Sequence, residues 1–204
     1  MNLLTLLVSV VLAQEVPHIV YFGGYGSTSA NMKCWADGIP ESEGQISVLP
    51  YPVGASSGRN RDIEKTRAYQ DLQKFIRENP NQSFKVGGHS SGSQYANQLV
   101  EWMLRVGVSP KNIELSNLDG FRASESLRSK VKWKCWSATN GRIYSNNYSS
   151  DCQLYKAPHC QTKWCLHFSL VNKTAPKDLA GGSDFIRRGY DKKNCQSNLV
   201  WIQR

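Results

Sequence analysis

The segment Phe84-Lys85-Val86-Gly87-Gly88-His89-Ser90-Ser91-Gly92-Ser93-Gln94-Tyr95 decides the reading of this chain, because a Gly-x-Ser-x-Gly falls where an apolar strand turns directly into a helix. A side chain presented at the tip of such a turn needs a strained backbone. The turn closes only if the residues two before and two after lack a Cβ. Gly88 and Gly92 fill those positions, which makes Ser90 the candidate nucleophile. The same pattern recurs at Gly54-Ala55-Ser56-Ser57-Gly58, but after Pro50 and Pro52 and ahead of a helix that begins only near Arg61. Ser56 is therefore expected in a loop rather than at a strained tip.

Outward from the turn, strand-like and helix-like segments alternate. His18 to Phe22 is an apolar run ended by Gly23-Gly24-Tyr25-Gly26, and Gln45 to Leu49 is another, ended by Pro50. Arg61 to Glu78 carries Ile63, Ala68, Leu72, Phe75 and Ile76 at helical spacing. Ser83 to Gly87 reads as the next strand and Gln94 to Val106 as the helix that leaves the turn; Asn112 to Leu118 and Val131 to Ala138 bring the strands to at least five. This alternation predicts a layered α/β fold, a mostly parallel sheet flanked by helices. After Asn140 the pattern gives way to a stretch rich in Tyr, Asn, Ser and Cys up to Thr162, expected to be a loop pinned by disulfides.

Composition narrows the classes. The 204 residues suit one domain with a core of its own, and no repeat or low-complexity linker marks a second. Met1 to Ala13 is apolar, uncharged and too short to span a bilayer, so it reads as a secretory signal cleaved near Gln14, leaving a domain over 14–204. Six cysteines (Cys34, Cys135, Cys152, Cys160, Cys165 and Cys195) agree with export and pairing, with the connectivity open. No Cys-x-x-Cys is present and the spacings are irregular, so no metal site is expected. The formal net charge of +9 raises nucleic acid, an acidic polymer or an anionic surface as partner classes. The cations are spread along the chain, however, and the densest group, Lys130 to Lys134, alternates with Val131 and Trp133 as a strand with one wet face. No nucleic-acid partner is expected.

A serine acts as a nucleophile only with a base and an oxyanion site. When the acid and the histidine follow the nucleophile in chain order, His18 is excluded, and His89 lies within the turn itself. His167, in the apolar segment Trp164-Cys165-Leu166-His167-Phe168, is preferred to His159, which lies between Pro158 and Cys160. Asp119 directly follows the strand after the turn's helix, at the sheet edge that carries Ser90, and is preferred to Asp151 as the orienting carboxylate. The backbone N–H of Ser91 and one from Gly24 or Tyr25 are the candidate oxyanion donors. Gly23-Gly24-Tyr25-Gly26 lacks the third glycine and acidic partner of a dinucleotide site.

The Gly-rich loop after the first strand, Gly88-His89-Ser90-Ser91-Gly92, and Leu118-Asp119-Gly120 together resemble an α/β-hydrolase of the lipase/esterase type. The acid after the strand that follows the turn's helix, with Cys165-Leu166-His167, is similar to the arrangement in pancreatic-type lipases. The chain is shorter, without the initial strands or a long lid insertion, so a minimal, cutinase-like size is the closer comparison. The resemblance implies a Ser-His-Asp triad, no cofactor, a small-molecule or lipid ester as substrate, transient contact with a lipid surface, and a secreted monomer. A peptidase or amidase, an acyltransferase, and a non-enzymatic binding protein on the same scaffold are the alternatives.

Overall fold

The computed structural model describes residues 16–24, 45–49, 63–137, 152–154 and 167. The expected signal segment and Tyr25, Ser56, Asp151 and His159 lie outside them.

Among the described residues, six strands form one all-parallel sheet: β1 (His18–Phe22), β2 (Gln45–Leu49), β3 (Phe84–His89), β4 (Ile113–Leu118), β5 (Lys132–Ser137) and the two-residue β6 (Gln153–Leu154). Their order is β2-β1-β3-β4-β5-β6. The chain steps from β1 outward to β2, then returns past β1 to lay β3 on its other side. The carboxyl ends of β1 and β3 therefore flank the point where the winding reverses, and open α/β sheets leave a crevice there.

Among the described residues, three α-helices lie between these strands: α1 (Arg67–Glu78), α2 (Gly92–Arg105) and α3 (Glu125–Arg128). Thr66 caps α1, its hydroxyl accepting from Tyr69 N–H and donating to the Ile63 carbonyl. That cap splits the helix expected from Arg61 into a 3-10 turn at Ile63–Lys65 and α1 proper. Apolar positions at helical spacing then meet one face of the sheet. Tyr69, Leu72 and Ile76 of α1, Tyr95, Ala96, Leu99, Val100 and Met103 of α2, and Leu127 of α3 share one core cluster with Val20, Phe22, Phe84, Val86, Ile113 and Leu115. Each large aliphatic or aromatic side chain in it contributes about 1.5–3 kcal/mol on burial.

Strand boundaries moved where tertiary bonds outran local pattern. β3 was expected to end at Gly87 but runs through His89, because its ladder with β4 continues to the His89–Leu118 register pair. β6 was not foreseen. Cys135 and Cys152 are disulfide-bonded, with Cα atoms 4.6 Å apart, and the bridge carries Gln153–Leu154 alongside Trp136 and Ser137 of β5.

Two of the buried polar residues of the sheet tie its strands to their surroundings. On the helix-covered face Asn117, fully buried, accepts from Ala123 N–H at 3.0 Å and Trp133 Nε1–H at 2.7 Å. Its amide donates to Asn97 Oδ1 at 2.9 Å, and Asn97 in turn donates to the Phe121 carbonyl. The loop after β4 is thereby pinned at residues 121 and 123. On the opposite face Glu114 meets Lys132 at 2.6 Å and Lys134 at 3.0 Å. Burial alone would raise its carboxyl, but the two ammonium groups outweigh that and hold it below its ordinary value. The expected wet face of β5 is thus built around a carboxylate on the neighbouring strand.

Asn117→Leu keeps the branching of the side chain but removes the acceptor of the Ala123 and Trp133 N–H groups, so it should destabilise the fold by about 2–4 kcal/mol. A urea midpoint unchanged from wild type would contradict this.

Candidate active site

The backbone does the first work. Ser90 has φ 56, a left-handed conformation that costs a non-glycine residue on the order of 1 kcal/mol or more. It is held by bonds on both sides of the turn. Its N–H donates to the Leu118 carbonyl at 2.9 Å, while its own carbonyl accepts from Ser93 N–H at 3.2 Å and Ser93 Oγ–H at 2.6 Å. The glycines of the motif are required by contact. A Cβ at Gly88 would fall 2.5 Å from the Gly92 carbonyl oxygen, and one at Gly92 would fall 2.4 Å from that of Gly23. Ser91 takes a helical conformation as the first turn of α2 forms behind it.

Asp119 is the other non-glycine residue with positive φ among those described, at 44, in the left-handed region that aspartate tolerates better than most. Its N–H donates to the Trp136 carbonyl at 2.7 Å, so the β4–β5 ladder carries one residue past the strand and fixes where the side chain begins. The carboxylate accepts at both oxygens: Ser137 Oγ–H at 3.1 Å on Oδ1 and His167 Nδ1–H at 2.6 Å on Oδ2. Asp119 and His167 are both buried. Because Nδ1 keeps its proton and donates it in the hydrogen bond to the carboxylate, Nε2 is the imidazole nitrogen with the basic lone pair.

Two of the residues expected to cooperate, Asp119 and His167, are hydrogen-bonded to each other. His167 reaches Asp119 across 48 positions of sequence, and its ring lies 4.5 Å, centroid to centroid, from that of His89, the neighbour of Ser90. A Cβ placed on Gly24 would sit 2.7 Å from the Ser90 Cβ and 3.3 Å from its Oγ, so the loop after β1 does abut the serine. Among the described residues no three His, Cys, Asp or Glu side chains are grouped as a metal site requires.

Four supporting residues were not singled out from sequence. Ser93 and Ser137 are ordinary serines there, and only the fold brings their hydroxyls to Ser90 and Asp119. Gly120 reads as the second residue of a turn pair, yet a Cβ on it would overlap the Ser90 carbonyl oxygen at 2.0 Å. His89 was set aside as a base, and its Nε2 instead bonds the His167 carbonyl at 3.0 Å.

The buried imidazoles have a measurable signature. Burial first, and the neighbouring His167 second, lower His89 to about 3, against the opposing pull of the His167 carbonyl and Asp119. His18, which bonds Ser47 and packs on Phe75, is also lowered, chiefly by burial.

No protein-family model matches the chain, and no curated protein matches it in sequence.

Two outcomes follow from this geometry. Gly120→Ala should destabilise the protein by more than about 2 kcal/mol, since its new methyl meets the Ser90 backbone as well as the Ser93 hydroxyl; thermal unfolding close to wild type would count against the packing described. For His18 and His89 the folded pKa lies below the unfolded one, so the unfolded chain binds the proton first as pH drops. Stability complete above about pH 6.5 should be lost progressively toward about pH 3, by on the order of a few kcal/mol, in urea titrations at stepped pH.

Proposed function

We propose that the chain is an exported serine hydrolase that cleaves carboxylic esters through an acyl-enzyme. The observation that carries this reading is the buried 2.6 Å hydrogen bond from His167 Nδ1 to Asp119 Oδ2, together with a serine held at positive φ immediately before the N-cap of a helix. Strain of that kind persists only where the surroundings enforce it, and it favours a functional role for the side chain it displays.

In the proposed cycle Ser90 Oγ attacks the acyl carbon while His167 Nε2 takes its proton. Asp119 stabilises the imidazolium, and the N–H of Ser91 with that of Gly24 or Tyr25 receives the oxyanion. Collapse expels the alcohol, which leaves with the proton from His167. Water, deprotonated by the same nitrogen, then releases the acid and restores Ser90. No cofactor takes part. The ester class rests on the resemblance to lipases and esterases. Export is supported by the Cys135–Cys152 disulfide, a bond that persists in oxidising compartments.

A fluorophosphonate should add once to the purified protein by intact mass, and Ser90→Ala should take up none. Turnover of p-nitrophenyl esters should fall by about 10⁴-fold or more in Ser90→Ala and His167→Ala, since triad members act as a unit. Esters of short and long chain, a peptide anilide and an added acceptor alcohol separate esterase from peptidase and acyltransferase. A folded wild type without adduct would move the chain to the binding proteins.

A further inference from the structure

We infer that His89 is a positioning residue for His167, so that the Gly-x-Ser-x-Gly turn carries the nucleophile at one residue and the support of its base at the residue before. The inference rests on the triad reading of Ser90, His167 and Asp119.

His89 ends β3 with its side chain on the face away from α1, α2 and α3, and it is 4% exposed. Its Nε2 stands 3.0 Å from the backbone oxygen of His167. A carbonyl only accepts, so Nε2 bears the proton and donates. The two rings are inclined at 37° with centroids 4.5 Å apart. One side chain thus fixes where the His167 backbone sits and also covers a face of its imidazole.

That support supplies what the Asp119 bond lacks. A ring tethered at Nδ1 alone can still swing about that bond and carry Nε2 off line. With the carbonyl anchored and one face packed, the swing is blocked and Nε2 stays aimed. Displacements of about 1 Å in reacting groups can cost about 100-fold in rate.

The charge balance agrees. Among the described residues, His167 and Asp119 are ionisable groups that act on His89, and burial together with His167 favours its uncharged form. When His167 takes the serine proton, the adjoining ring therefore adds no second positive charge, and the Asp119 carboxylate is left to stabilise one imidazolium.

The role is tested with His89→Leu, which fills the space without a donor, His89→Gln, whose amide N–H reaches the Nε2 position, and His89→Asn, whose amide is too short. In His89→Leu, kcat should fall about 10–100-fold with KM within about twofold, while His89→Gln should stay within about threefold of wild type. The far-downfield proton resonance of the His167–Asp119 bond should be lost by exchange in the Leu variant and kept in the Gln variant, a readout independent of hydrolysis. A folded Leu variant with wild-type kcat and an intact resonance overturns the inference. If the Leu variant does not fold, the Asn and Gln variants decide: lower kcat in Asn alone supports the role, and equal kcat overturns it. A wild type that takes up no fluorophosphonate overturns the triad reading and this inference with it. A labelled wild type whose Leu variant is unaffected overturns the inference alone.

Discussion

Backbone crowding at the carboxyl end of β3 is the constraint on which the rest of this structure depends. The chain must leave a central parallel strand and enter a helix at once, with the β1 loop on one side and the β4 loop on the other. Three backbones then lie closer than a methyl group allows: Gly88 against Gly92, Gly92 against Gly23, and Gly120 against Ser90. Removing Cβ at those positions admits the approach, and the residual strain falls on Ser90, the tip residue that keeps its side chain. The placement of its side chain at the tip of the turn, where it is buried, is a consequence of the crowding. The Ser90 amide and carbonyl are both bonded within the protein, so the strained residue is fixed by its own main chain before any ligand arrives.

The sheet around this point is stiffened by polar groups that a sheet layer would normally exclude. Asn117 spends its side-chain carbonyl on a loop amide and an indole and its amide on Asn97, and so ties β4, β5, α2 and the 119–123 loop together. A fully satisfied buried amide of this kind rigidifies and specifies, whereas a half-satisfied one would cost more than an apolar core. Glu114 does the corresponding work on the opposite face with two lysines of β5. Both devices lie on β4, the strand that leads directly into Asp119, the residue His167 meets.

Much of the fold was legible because apolar runs and glycine punctuation coincide in this chain. His18–Phe22 and Gln45–Leu49 were read with their observed limits, and the α/β class follows from the alternation of periods. Boundaries slipped where long-range bonds decide them: β3 gains two residues from its ladder with β4, and β6 owes its place to a bond between Cys135 and Cys152 that composition cannot assign. Ser90, Asp119 and His167 could be nominated because the candidate nucleophile, acid and base each stand at a strand end or in an apolar segment. The supporting residues could not. Ser137 and Ser93 matter through the direction of one hydroxyl each, and Asn117 is one asparagine among many until the sheet turns it inward. His89 was judged by what it could not do as a base, and its bond to a carbonyl 78 positions away leaves no local trace.

The division of labour at Asp119 shows how such a site is held by more than its own strand. Its charge comes from the residue that ends β4, while the amide bond that sets its backbone and the hydroxyl that orients its outer oxygen come from Trp136 and Ser137 at the end of β5. A carboxylate fixed from one side only would rotate toward whichever donor was nearer. With Ser137 on Oδ1 and His167 on Oδ2, rotation would break one bond to improve the other, so the plane of the carboxylate is set by both. The imidazole inherits that plane through Nδ1, and His89 fixes the backbone it hangs from. The alignment of Nε2 is therefore a property of three adjacent strand ends in register, which is why the site sits on the sheet's carboxyl edge rather than in any single loop.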